Sequence, residues 1–346
     1  MRFQHVAIES LAHVLPERVV TSAELEERLA PLYAKLKLSA GRFELMSGIR
    51  ERRFFAPGTR PSEIAARAGA LALARCSFER ARIGLVIHAA VCRDFLEPAT
   101  ASVVHHALEL SDTCAAYDLS NACLGFANAM SVAASAIERG EIEAALVVAG
   151  EDGGPLVEET LRALASPVAT RADLKRAHAS LTIGAGGAAC VLARAELASS
   201  SLKLVGGVTL ADTRAHELCR GDFTPGGSGP LMETDSEALL QAGNALAART
   251  WAKFLAELDW RAEDVAHVVT HQVGSAHRRL LFETLALDPA RDFPTVEWLG
   301  NIGSVSLPLS LSIALERGVI QRGSKTALLG IGSGLHCAML GVERGV

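Results

Sequence analysis

Residues 118–140 read DLSNACLGFANAMSVAASAIERG, the stretch around which the chain is organised. A short strand end, AAYDLS, runs into a helix that stays apolar until Glu138, Arg139 and Gly140 stop it. From Cys123 to Glu138 is fifteen residues, so the helix spans roughly 22 Å at about 1.5 Å per residue, enough to cross the middle of a domain. A helix apolar on all faces in a soluble protein is buried. A cysteine in its first turn would sit where unpaired N–H groups and the positive end of the helix dipole favour a thiolate. The plainer reading makes Cys123 one more small buried hydrophobe, the usual fate of a free cysteine.

The frame around this helix follows from composition. The chain has 346 residues, 49% hydrophobic but only 5% aromatic, so its core is built from alanine, valine, leucine and glycine. A net charge of −5 with no run of five Lys/Arg argues against nucleic acid or an anionic membrane surface and leaves phosphorylated small molecules open. Seven scattered cysteines without a CxxC pair predict a reducing, cytoplasmic setting. MRFQHVAIESLAHVLPERVV carries polar and acidic residues where a signal peptide needs an apolar core, and the longest apolar run falls short of a membrane span. A soluble protein is therefore expected.

Taken in order, residues 3–9 alternate like a strand, and Ser22 reads as the cap of a helix AELEERL. SGIRERRFFAPGTRPS (47–62) is basic and turn-rich, and a helix runs from Ser62 to about Arg75. ARIGLVIHAAV is the continuous apolar run of a strand buried on both faces. CRDFLEPATASVV leads into a helix ending near Leu110, and EAALVVAGE (143–151) is the strand after the Cys123 helix. Residues 152–180 read as irregular and helical, and LTIGAGGAACVLAR (181–194) as a glycine-studded strand. ASSSL (198–202) is the best boundary, predicting halves 1–199 and 200–346. In the second half, RGDFTPGGSGPLMETD (220–235) reads as a loop over a site or interface. A long helix over 236–256 and strand AHVVTHQ (266–272) follow, and the chain closes on strand KTALLGIGSGLHCAMLGVE.

A repeat ties the halves together. Asn301 to Glu316 is also fifteen residues, both segments end in ERG, and each is followed by an apolar strand, EAALVVAG or KTALLGIG. The chain thus predicts two copies of one β/α unit, with two parallel-rich sheets packed through shared central helices. The helix starts at Cys123 and Asn301 should meet near the pseudo-dyad. Three polar residues stand where each half turns from one element to the next: Cys123, His271 and Asn301. A thiolate that attacks a thioester needs an imidazole nearby, and a carbonyl oxygen becoming an anion needs donors such as His Nε2 and an Asn amide. Singly, His271 could be a satisfied core histidine and Asn301 a turn residue.

DLSNACLGF, VVTHQV, GNIGS and LLGIGSGLHC together resemble the thiolase superfamily, of the ketoacyl synthase III type with its Cys-His-Asn triad, and SGIRERRF extends the similarity to essentially the whole chain. The resemblance implies a thiolase fold, duplicated β/α halves in a five-layered α-β-α-β-α sandwich. It makes Cys123 the acylated nucleophile and His271 with Asn301 the donors to the second thioester oxygen. The backbone N–H groups of Cys123 and Ser333 would form the oxyanion hole. Within the superfamily, CRDFLEPATAS, LCRG and NACL are similar to the OleA-type enzymes, which join two long-chain acyl-CoAs head to head. In that branch a glutamate, here Glu97, reaches the site from the partner subunit of a homodimer and removes an α-proton. An unactivated acyl-CoA cannot supply a carbanion by losing CO₂, so a base is needed, and it serves best with its pKa raised by an apolar site. Without the resemblance, Glu97 reads as a solvated carboxylate before Pro98.

The implied product is a 2-alkyl-3-keto acid, the first intermediate of a long-chain olefin or ketone route, passed to downstream enzymes; neither cofactor nor metal is expected. Two alternatives stand beside it: a decarboxylating synthase using malonyl carrier protein, with Glu97 incidental, and a non-catalytic subunit, which an intact triad disfavours. Arg50, Arg52 and Arg53 are candidates for the CoA phosphates, and equally a solvated basic strip. The glycine-rich 220–235 stretch is longer than the family leads one to expect.

Overall fold

The computed structural model describes residues 1–223 and 229–346. Its strands are β1 (Val6–Val14), β2 (Arg18–Thr21), β3 (Glu51–Phe54), β4 (Ile83–His88), β5 (Ala115–Asp118), β6 (Ala144–Asp152), β7 (Ala185–Arg194), β8 (Leu202–Ala211), β9 (Cys219–Phe223), β10 (Pro230–Thr234), β11 (Val265–Thr270), β12 (Lys325–Gly332) and β13 (His336–Arg344). The helices are α1 (Ser22–Arg28), α2 (Ala30–Leu36), α3 (Arg42–Ser47), α4 (Pro61–Ala74), α5 (Thr100–Ala107), α6 (Gly125–Glu138), α7 (Gly154–Leu164), α8 (Arg171–Leu181), α9 (Ser236–Leu258), α10 (Ser275–Leu285), α11 (Val296–Leu299) and α12 (Ser306–Glu316).

Nine strands run in the order β11-β12-β13-β8-β1-β7-β6-β4-β5. The two half-sheets meet along a short seam, where Ala7 of β1 faces Lys203 of β8, the Phe3 N–H bonds the Val205 carbonyl at 3.0 Å, and Arg2 bridges to Gly206. The expected parallel-rich pairing is corrected. β4 is parallel to β5 and β6, and β11 to β12, but β7 runs antiparallel to β1 and β6, and β13 to β12 and β8. For β12 and β13 the cause is connectivity: the short turn Ser333–Leu335 folds β13 back along β12, whereas a parallel neighbour would need a crossover connection; β6 and β7 are antiparallel although α7 and α8 lie between them.

Period-two alternation on these strands builds three apolar clusters. In β6, Ala145, Val147 and Ala149 face one cluster while Ala144, Leu146 and Val148 face another. The first cluster joins one face of both half-sheets through α6 and α12. The second packs α4, α5 and α7 on the outside of the first half-sheet, and the third packs α9 and α10 on the outside of the other. Helix, sheet, central helices, sheet and helix make the five layers. Burying Phe126, Met130 and Ile137 of α6, all at most 2% exposed, contributes ~1.5–3 kcal/mol each. α6 is not covered all round, however, for Val132 is 41% exposed.

The repeat extends to the caps. Gly140 (φ 74°) and Gly318 (φ 68°) each follow an Arg. The bonds from Gly140 N–H to Ile137 and Glu141 N–H to Ala136 recur as Gly318 to Leu315 and Val319 to Ala314, the same left-handed stop written twice. Elsewhere long-range pairing shifts the expected boundaries. The first strand continues to Val14 because it pairs with β7 out to Gly187. Thr21, not Ser22, caps α1: its hydroxyl accepts from Glu24 N–H, whose carboxylate takes Thr21 N–H, while Ser22 Oγ donates to the Ile49 carbonyl. The expected 220–235 loop begins and ends as a two-stranded ribbon of β9 and β10; its centre, 224–228, lies outside the described residues.

Candidate active site

Cys123 stands in the turn between β5 and α6, two residues before the helix begins. Leu124 and Gly125 N–H groups bond the carbonyls of Asn121 and Ala122, and the Cys123 N–H faces its own thiol. Ala122 is held at φ 46°, a conformation costly for a residue with a Cβ. Asn121 Nδ2 donates to Asn128 Oδ1 at 2.7 Å, pinning the turn to α6. A Cβ on Gly332 would stand 3.0 Å from Leu124 Cγ and 3.5 Å from its backbone nitrogen. The absence of a side chain there lets the Cys123 turn rest against the end of β12, where Ser333 begins the next turn.

Burial pushes the Cys123 thiol up to about 12, with the Cys219 and Glu151 charges adding to it. The expectation of a thiolate in the first helical turn is not met: the cysteine lies before the helix, and desolvation of its thiolate outweighs the lowering by its own backbone N–H. His271 follows β11, its N–H donating to the Leu329 carbonyl of β12 at 2.8 Å. Both of its ring nitrogens are shielded from solvent and without a partner among the described residues. Burial, then His277, brings its ring down to about 4, so thiol and imidazole are both neutral near pH 7. The next residue, Gln272, is locked by Thr295 and Val296 N–H groups at 2.7 and 2.8 Å and by its own bond to the Phe293 carbonyl.

Asn301 is 9% exposed and lies five residues before α12, not at its start. Its N–H donates to the Thr182 carbonyl and its carbonyl accepts from Gly184 N–H. Its Oδ1 accepts from Gly303 N–H at 3.0 Å, which fixes the amide's acceptor in the turn and leaves Nδ2 as its donor group. Beneath this turn runs Arg52, 0% exposed, with Cβ 3.2 Å from where a Cβ on Gly300 would be. Its guanidinium bonds the Val20 and Leu181 carbonyls and Ser22 Oγ. Arg52 is therefore corrected from a CoA-phosphate candidate to a buried strut. Arg53 donates to the Pro16 carbonyl at 3.2 Å, and Arg50 stays at the surface, paired with Glu297 at 2.9 Å.

Glu97 is exposed at the tip of an arm between β4 and α5, so a carboxylate buried within its own subunit is not what the fold provides. The base of the arm is clamped by three carboxylates. Glu151 accepts from Val91 and Cys92 N–H, Asp94 accepts from Ser62 N–H and Oγ, and Asp118 accepts from Thr100 and Ala101 N–H. The tip carries Phe95 and Leu96, 44% and 94% exposed. Sequence reasoning missed Glu151; a carboxylate ending a strand apolar on both faces was the available signal. Among the described residues no group of His, Cys, Asp and Glu is placed to hold a metal, and no helix is long and apolar enough to cross a membrane.

Known proteins resemble this chain over nearly all of its length. The 3-oxoacyl-[acyl-carrier-protein (ACP)] synthase III model matches residues 117–206, and the C-terminal model of the same family matches 255–343. An acyl-CoA:acyl-CoA alkyltransferase of Xanthomonas campestris pv. campestris is 40% identical over 98% of this chain and 98% of its own. The protein of that name from Shewanella oneidensis is 39% identical over 99% and 100%. A solved variant of Xanthomonas campestris OleA with bound lauric acid and lauroyl-CoA, 39% identical, covers 99% of both chains at a TM-score of 0.94. With identity, coverage and the layered fold in agreement, the chain belongs to the acyl-CoA:acyl-CoA alkyltransferase (OleA) family of thiolase-fold acyltransferases.

Proposed function

We propose that this protein condenses two long-chain acyl-CoAs without decarboxylation, through an acyl group carried on Cys123. The sulfur attacks the first thioester, the acyl–S(CoA) bond breaks, and CoA leaves with the thiol proton. The N–H groups of Cys123 and Ser333 would take the charge on the tetrahedral oxygen. The second acyl-CoA presents its carbonyl oxygen to His271 Nε2 and Asn301 Nδ2, so that the charge developing as the α-proton departs is spread onto two donors. Glu97 of the partner subunit takes that proton. The carbanion forms a C–C bond with the acyl carbonyl, and Cys123 departs as thiolate, to be reprotonated. Hydrolysis of the remaining thioester gives the 2-alkyl-3-keto acid. Cys123 and Glu97 belong to residues 1–199, His271 and Asn301 to 200–346, so each half contributes a turn to the space around the central helices.

The observation that carries this reading is the arm of Glu97: anchored at its base, in part by Asp118 at the end of β5, the last strand of the sheet, and exposed and apolar at its tip. An unpaired edge strand carrying Tyr117 at 39% exposure is a surface suited to a second copy of the chain. The lauroyl-CoA in the related structure supports the substrate class. Purified protein given one saturated long-chain acyl-CoA and no malonyl donor should yield a doubled-chain β-keto acid, or the symmetric ketone left after CO₂ loss. Glu97→Gln should stop coupling while leaving acyl-Cys123 detectable by intact mass. Coupling at the wild-type rate in that variant would remove Glu97 from the role of base, and coupling only with malonyl carrier protein would make the enzyme a decarboxylating synthase.

A further inference from the structure

Glu151, one residue before the end of β6, has a side chain 5% exposed, and no step above calls on it. Its carboxylate collects donors from two distant segments. Oε1 accepts from Val91 N–H at 3.0 Å, Ser304 N–H at 3.3 Å and Ser304 Oγ at 2.9 Å, and Oε2 accepts from Cys92 N–H at 3.1 Å. Val91 and Cys92 open the arm that ends in Glu97. Ser304 follows Gly303, whose N–H holds Asn301 Oδ1. A Cβ on Gly303 would stand 3.0 Å from Glu151 Oε1, so the Asn301 turn rests directly on the carboxylate. The same charge acts on the Cys123 thiol, where the other titratable neighbour is Cys219, and on Cys92, which also faces Asp152.

We propose that Glu151 is a positioning residue that holds the Asn301 amide of its own site and, with the same carboxylate, the base of the Glu97 arm that serves the partner's site, so that the second acyl-CoA is presented for coupling in both. This rests on the condensing reading above and names the part that ties the Asn301 turn of one site to the arm carrying the base of the other. Glutamine at this position keeps the shape but replaces one acceptor oxygen with a donor, which must then face a backbone N–H of the arm or the Ser304 group. The charge is lost as well. Two separable effects follow, one on geometry and one on the thiol.

The test uses the full-length protein with Glu151→Gln and Glu151→Asp. Folding is checked by circular dichroism, acylation of Cys123 by intact mass, coupling by product yield, and thiol titration by iodoacetamide alkylation across pH. Glu151→Gln should couple roughly 10- to 100-fold more slowly, as displaced catalytic groups do, while still accepting an acyl group, and its alkylation profile should move to lower pH. Glu151→Asp keeps the charge but falls a methylene short, so coupling should fall with the alkylation profile near that of wild type. If Glu151→Gln does not fold, Ser304→Ala removes only the 2.9 Å bond and should lower coupling several-fold with acylation intact. Coupling within twofold of wild type in the folded variants, or equal losses in acylation and coupling, would overturn the proposal. Glu97→Gln run in parallel separates the failures: normal coupling there removes the base and leaves the Glu151 result standing on its own.

Discussion

The neutral thiol of Cys123 has a measurable consequence. Burial pushes it up to about 12, against 9.0 for an ordinary thiol. At pH 8 that leaves about one thiolate in ten thousand, compared with about one in ten for the ordinary group. Since the thiolate is the nucleophile, alkylation of Cys123 by iodoacetamide should be slower than that of a solvated thiol by up to ~1,000-fold. Part of the Cys123 surface remains open to solvent, so this figure is a ceiling. The sign is definite: a raised pKa means that the rate climbs about tenfold per pH unit through pH 10 without levelling. Peptide mass spectrometry of Cys123 between pH 6 and 10, with Cys123→Ser as a blank, reads it directly. A plateau, or a midpoint below pH 8, would refute the argument that desolvation outweighs the turn's dipoles and would restore a resting thiolate. The expected result also means that the free enzyme resists oxidation at neutral pH, because oxidation too starts from the thiolate.

Two further outcomes test the frame. Arg52→Met leaves the Val20 and Leu181 carbonyls without their donor and should cost about 1–3 kcal/mol of stability, read as a lower urea midpoint with an unchanged KM for acyl-CoA; a raised KM at unchanged stability would return Arg52 to the CoA phosphates. Glu9 tethers the 199–200 linker and Ser77 to β1. Burial raises its carboxyl pKa, but hydrogen bonds from Ser77, Ser200 and Ser199 outweigh burial and hold it below 4.5. A depressed folded-state pKa contributes stability above the unfolded value of about 4.5 and loses it as pH falls through the folded one. The difference in urea midpoint between wild type and Glu9→Gln should therefore be present at pH 7 and shrink on acidification below pH 4.5; a difference that grew with acid would contradict it.

Much of the architecture was legible in the chain itself. The apolar run from Leu124 to Ile137 announces a central helix because period and hydrophobicity are local properties, and ERG at 138–140 and 316–318 announces its twin because a left-handed stop is written in two or three residues. Cys123, His271 and Asn301 were likewise visible as candidates, since each sits near the end of an element. What tertiary structure decided was environment and partnership. Strand direction within the half-sheets, the burial of Arg52 beneath the Asn301 turn, the exposure of Glu97 and the joining of Val91, Cys92 and Ser304 on Glu151 all depend on segments as far apart as residues 91 and 304. So does the protonation of Cys123. A sequence shows that a cysteine precedes a helix, but only the packed layers show how little water is left to solvate its charge.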